Sequence, residues 1–99
     1  MTRHVTPEVL SLLQKAVQLH QAGRLDEADR LYGTVRARAP QNGDALNLKG
    51  MIALDQQRVE EAIKLLKRAV QVAPAYAQAH FNLANALSAA AHVDDALAH

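Results

Sequence analysis

The stretch QRVEEAIKLLKRAVQVAP, residues 57–74, repeats an order of small, polar and apolar residues already written in GRLDEADRLYGTVRARAP, residues 23–40. Both carry two acids followed by alanine near the start, and both close on Ala-Pro. A third copy begins at AHVDDA, residues 91–96. Ala28, Ala62 and Ala96 stand 34 residues apart, as do Pro40 and Pro74. Several matches in one register define a tandem repeat.

Each unit reads as two helices. Thr6 can cap the first, with Pro7 in its opening turn, where a missing N–H costs little. Val9, Leu12, Leu13, Ala16, Val17 and Leu19 then follow at the spacing of one buried helical face. Gly23 stops that helix. A second runs from about Leu25 to Ala39, burying Leu25, Ala28, Leu31, Tyr32 and Val35, and Pro40 ends it. The next unit predicts helices from about Gly43 to Asp55 and from Val59 to Ala73. The third predicts a helix over roughly Ala77–Ala90 and the start of another near Val93. Five full helices in antiparallel pairs and a rudimentary sixth are therefore expected, with no strand.

Composition narrows the function. Aromatic residues are 3% of the chain, so the core must be aliphatic, rich in Ala and Leu. Eleven basic against ten acidic residues leave a charge of +1, too little to draw nucleic acid or an anionic membrane by bulk electrostatics. No cysteine means no disulfide framework and no thiolate metal site. MTRHVTPEVL has no apolar leader core, and no run is long enough to span a bilayer. A cytoplasmic protein is the default expectation.

A period of 34 residues built from two helices is the tetratricopeptide signature, and the chain resembles the tetratricopeptide repeat (TPR) family over nearly its whole length. The family's pattern falls on Leu12, Lys15, Ala16, Leu19, Ala28, Tyr32, Val35 and Pro40 in the first unit. In the second it falls on Leu46, Lys49, Gly50, Ala53, Ala62, Leu66, Ala69 and Pro74, and in the third on His80, Leu83, Ala84, Leu87 and Ala96. Lys15 and Lys49 depart from the usual Leu, and Trp is absent. The small residues Ala16, Gly50, Ala84, Ala28, Ala62 and Ala96 are kept, and they let paired helices approach closely. The resemblance implies an all-α fold, a right-handed superhelix with two full repeats and a truncated third. Residues 1–99 form one domain in this reading, with repeats at 9–42, 43–76 and 77–99.

Residues that could carry chemistry have structural readings. Asp26-Glu27, Glu60-Glu61 and Asp94-Asp95 each open a second helix, where the dipole favours negative charge. His4, His20, His80, His92 and His99 form no H-x-x-x-H pair, and His80 occupies a packing position of the family. Arg24, Arg30, Arg36 and Arg38, like Lys64, Lys67 and Arg68, spread around their helices as a solvated face. No phosphate loop or nucleophile motif occurs. No catalytic residue, cofactor or metal is expected, and the chain reads as non-enzymatic.

The resemblance places partner binding on the concave side, along the first helix of each unit. Carried over, the groove comprises Leu13, Val17, His20, Asn47, Met51, Leu54, Gln78, Phe81, Asn82 and Asn85, with Leu10, Gln14, Asp44, Leu48 and Ser88 beside them. Aliphatic groups and an adaptable Met suit varied partners, and Asn can both donate to and accept from a peptide backbone. One TPR subclass grips a C-terminal carboxylate with Lys, Asn, Asn, Lys and Arg. Leu13, Val17, Leu48, Gln78 and Asn82 hold those places here, so that clamp is missing. HFNLANAL, residues 80–87, resembles units of O-linked N-acetylglucosamine transferases, where a ladder of asparagines contacts the substrate backbone, and similar repeats precede bacterial sulfotransferase domains.

The leading expectation is a protein–protein interaction module binding a peptide or helix in its groove. The alternative is the N-terminal recruiting region of a larger transferase, either O-linked N-acetylglucosamine transferase-like or a sulfotransferase. Neither nucleic acid nor membrane is an expected partner. The truncated third unit predicts an apolar, exposed C-terminal end open to self-association.

Overall fold

Helix boundaries follow local chemistry. The computed structural model describes residues 6–98, with side chains through His92. Thr6 Oγ1 accepts from the Val9 N–H at 3.1 Å and caps α1 (Pro7–Gln21). Gly23, at φ +83°, turns the chain into α2 (Leu25–Arg38). Asn42 Oδ1 accepts from the Ala45 N–H at 2.9 Å and caps α3 (Gly43–Asp55). Gln57 occupies Gly23's place at φ 63° and turns the chain into α4 (Val59–Val72). All regular structure among the described residues is helical.

α5 (Ala77–Ala98) corrects the expectation of a break near residue 90 and a rudimentary sixth helix from Val93. Its backbone continues through the place where the earlier units turn. Ala91 stands 34 residues after Gln57, and alanine is the strongest helix former and a poor occupant of left-handed backbone. Asp94 and Asp95 consequently lie inside α5 and do not open a new first turn. The close packing expected of Ala96 falls outside the described side chains.

α3 is the shared member of the array. Ala45 and Ile52 join Val9, Leu13 and Ala16 of α1 and Ala28, Tyr32 and Val35 of α2 in one core. Leu46 and Ala53, on another face of α3, join Ala62, Leu65, Leu66 and Ala69 of α4 with Ala79 and Ala86 of α5 in a second. Gly50 explains how tightly α3 and α4 meet. A Cβ there would stand 2.8 Å from Leu66 Cγ, inside any tolerable contact. The array measures 50 × 30 × 19 Å, elongated as stacked units are.

The family departure at Lys49 has a partner. Its Nζ lies 2.8 Å from Asp29 Oδ1, joining α3 to α2, and Arg58 stands 3.8 Å from the other carboxylate oxygen. Lys15 is exposed. Two packing expectations fail at α5: His80 and Ala84 are exposed, because no helix among the described residues covers their face. The equivalent Leu46 and Gly50 are covered by α4. His80 Nε2 turns back to the Pro74 carbonyl at 2.8 Å. Leu87 on the same helix is 46% exposed, whereas Leu83, also expected to be uncovered, packs half-buried against the second core. No helix among the described residues is long and apolar enough to cross a membrane.

Candidate functional site

The ten expected groove residues divide into four environments. Leu13 and Val17 of α1 stand with Gln14 and Gln18 across from Asp44 and Leu48 of α3. Together they enclose an open depression of about 620 Å³. Leu13 is buried, Val17 and Leu48 are half-buried, and Gln14, Gln18 and Asp44 are exposed. The floor is therefore aliphatic and the rim polar.

Asn47, Met51 and Asn82 are brought together, but as an internal junction. Asn82 Nδ2 donates to Asn47 Oδ1 at 2.9 Å, and Asn47 Nδ2 donates to the Tyr76 hydroxyl at 3.3 Å. Met51 Sδ lies 4.0 Å from the same nitrogen. Asn47 is 1% exposed and Asn82 6%. These amides hold α3 to α5.

His20 and Leu54 face into the helix pairs. His20 Nδ1 lies 3.2 Å from the hydroxyl of the buried Tyr32, with the rings edge to face at 6.0 Å. Leu54 packs against the second core. Gln78, Phe81 and Asn85 stand exposed along α5, with Phe81 62% exposed.

Sequence reasoning missed Tyr76. It sits just ahead of α5, and its hydroxyl accepts from the inner amide of Asn47. Burial chiefly raises its pKa to about 12; the nearby Asp44 carboxylate adds to this, and the Asn47 bond opposes it. The available signal was position: Tyr76 is one of three aromatic residues in the chain and follows a helix-ending proline by two. Asp44 and Tyr76 also border a second depression of about 570 Å³, where the α2–α3 and α4–α5 connections meet. Among the described residues no group of three or more acidic or histidine side chains could hold a metal ion.

Known proteins share this fold. The family model described as Tetratricopeptide repeat matches residues 13–79. A mutant O-GlcNAc transferase from Thermobaculum terrenum superposes with a TM-score of 0.81 at 32% identity, over 88% of this chain. The chain spans 17% of that transferase's length. The second TPR of Spaghetti (RPAP3), bound to the HSP90 peptide SRMEEVD, gives a TM-score of 0.82 at 20% identity. That match covers 91% of this chain and 83% of the other, and at such identity it speaks for the fold alone. No curated protein matches the chain. The 34-residue register, the paired helices and the match over residues 13–79 lead to one conclusion: the chain belongs to the tetratricopeptide repeat family.

Proposed function

We propose that residues 1–99 act as one protein-interaction domain, with repeats at 9–42, 43–76 and 77–99, and that it binds an extended peptide along α1, α3 and α5. The observation that carries this reading is the depression between α1 and α3. Its aliphatic floor of Leu13, Val17 and Leu48 can take an apolar side chain, while Gln14 and Gln18 can bond a peptide backbone. Phe81, Gln78 and Asn85 extend the surface along α5. The binding role of Asn47 and Asn82 becomes indirect: they set the spacing of α3 and α5, which frame the ligand's path.

Peptide capture by the Spaghetti repeat supports the mode, but its ligand is a poor guide to sequence. SRMEEVD ends in acids. Here Leu13, Val17, Leu48, Gln78 and Asn82 stand at the carboxylate-clamp places, with no cation among them. A second reading has one observation in its favour, the 32% identity to the transferase over 88% of this chain. In that reading the same groove recruits substrates for a transferase.

Amide chemical-shift mapping with a peptide selected from a random library tests the proposal. Shifts should concentrate at Gln14, Val17, Leu48 and Asn85. Shifts confined to the outer faces of α2 and α4 would sink it.

A further inference from the structure

We infer that the depression between α1 and α3 selects a cationic side chain, Lys or Arg, next to an aliphatic residue of the bound peptide, with Asp44 as its counter-ion. This rests on the peptide-binding reading above and specifies its ligand.

Among the described residues Asp44 is the only charged one lining that depression, whose other walls are Leu13, Gln14, Val17, Gln18 and Leu48. Its position in the first turn of α3 is favourable for an acid whatever the function. What sets it apart is its place in the wall of the depression: most other first-turn acids are paired, and Glu60, which like Asp44 has no ion pair among the described residues, lies on α4 away from it. Glu27 pairs with Arg24, Glu61 with Arg58, and Asp26 accepts from Gln56 Nε2 at 3.3 Å. Among the described residues no Lys or Arg stands within ion-pair distance of Asp44. It is exposed, and the neutral Tyr76 phenol borders with it the second depression, at the α2–α3 and α4–α5 connections. Its charge therefore has no side-chain counter-ion at the groove among the described residues.

The nearest structural basis for an anionic ligand is also missing. Leu13, Val17 and Leu48, at three of the clamp places, form the depression's floor. An acidic peptide here would meet one carboxylate and no cation. A peptide with Leu, Val or Ile seated on the floor and Lys or Arg directed at Asp44 satisfies both halves of the site. Such an exposed pair is screened by salt, so the selection should weaken as ionic strength rises.

The test is selection on the 99-residue chain from acetylated, amidated decapeptides randomised at every position, followed by anisotropy with the enriched peptide. Lys or Arg should be enriched beside an aliphatic residue, and Glu in its place should weaken binding about tenfold or more. Asp44→Lys should reverse the preference. Asp44→Asn, which keeps the side chain's size and removes its charge, should weaken the cationic peptide about two- to fivefold while leaving the helical spectrum unchanged. Enrichment indifferent to charge, or unchanged affinity in both variants, overturns the cation selection and leaves peptide binding standing. No enriched peptide, or shifts mapped away from α1 and α3, overturns the groove reading and this inference with it.

Discussion

The two junctions between successive inner helices use the same positions with opposite chemistry. Between α1 and α3 stand Leu13 and Leu48; between α3 and α5, 34 residues on, stand Asn47 and Asn82. The first is held by aliphatic contact, which is non-directional and tolerates small slips. The second is a directional amide pair, supported by Tyr76, and it admits one arrangement. A repeat can therefore keep its backbone geometry while exchanging the force that holds its units in register. The cost of error differs: an aliphatic pair loses area when perturbed, whereas half an amide pair leaves a buried polar group unsatisfied.

Breaking the amide pair should give the largest effect. Asn47→Leu leaves Asn82 buried without its partner and should lower stability by about 1–3 kcal/mol in urea unfolding. Adding Asn82→Leu rebuilds the aliphatic junction and should recover most of that loss. A double mutant no more stable than the singles would show that the positions are not equivalent in packing.

Next in size is the alkaline limb of stability. Burial raises both Tyr32 and Tyr76 to about 12 from an ordinary value of 10.0. Below pH 10 both states keep these protons, so the tyrosines have no pH effect. As pH rises from 10 to 12 the unfolded chain releases protons that the folded chain holds, and stability falls. Tyr76→Phe should cost about 0.5–1.5 kcal/mol at neutral pH through the lost bond to Asn47. It should also make the decline between pH 10 and 12 shallower, leaving the part due to Tyr32. An unchanged decline, read from melting temperatures across that range, would remove Tyr76 from the junction's energetics.

The smallest effect is expected at Lys49, which joins α3 to α2 through Asp29. Lys49→Leu restores the family's usual residue and forfeits a partly exposed ion pair, about 0.2–1 kcal/mol. The loss should shrink in high salt. A salt-independent change in thermal unfolding would assign the effect to packing instead.

What was legible in the sequence follows from the range of the interactions involved. Thr6, Gly23 and the two Ala-Pro stops act within a few residues, and both ends of α1 and α2 and the end of α4 lie beside them. Gly50 was legible as a close approach because its smallness has one steric reason, the Leu66 side chain. The groove was harder. Leu13 and Val17 line it, but Asn47 and Asn82 look equally suited to a ligand until α5 is laid beside α3 and the amides meet. Changing those two would disturb folding, contrary to a purely surface role. The end of α5 misled for a different reason: AHVDDA keeps the repeat's polarity, but Ala91 lacks the backbone latitude of Gly23. Tyr76 escaped notice because its importance lies in a partner 29 residues away.

The double membership of α3 bears on how the array comes apart. One of its faces completes the core around Tyr32, and another completes the core around Leu66. Opening either hairpin strips apolar cover from α3 and weakens its hold on the other. The two cores are thus coupled through one helix, and loss of structure spreads across the array instead of stopping at a repeat boundary. Cooperativity here is a property of where α3 sits, more than of how strongly either hairpin is packed.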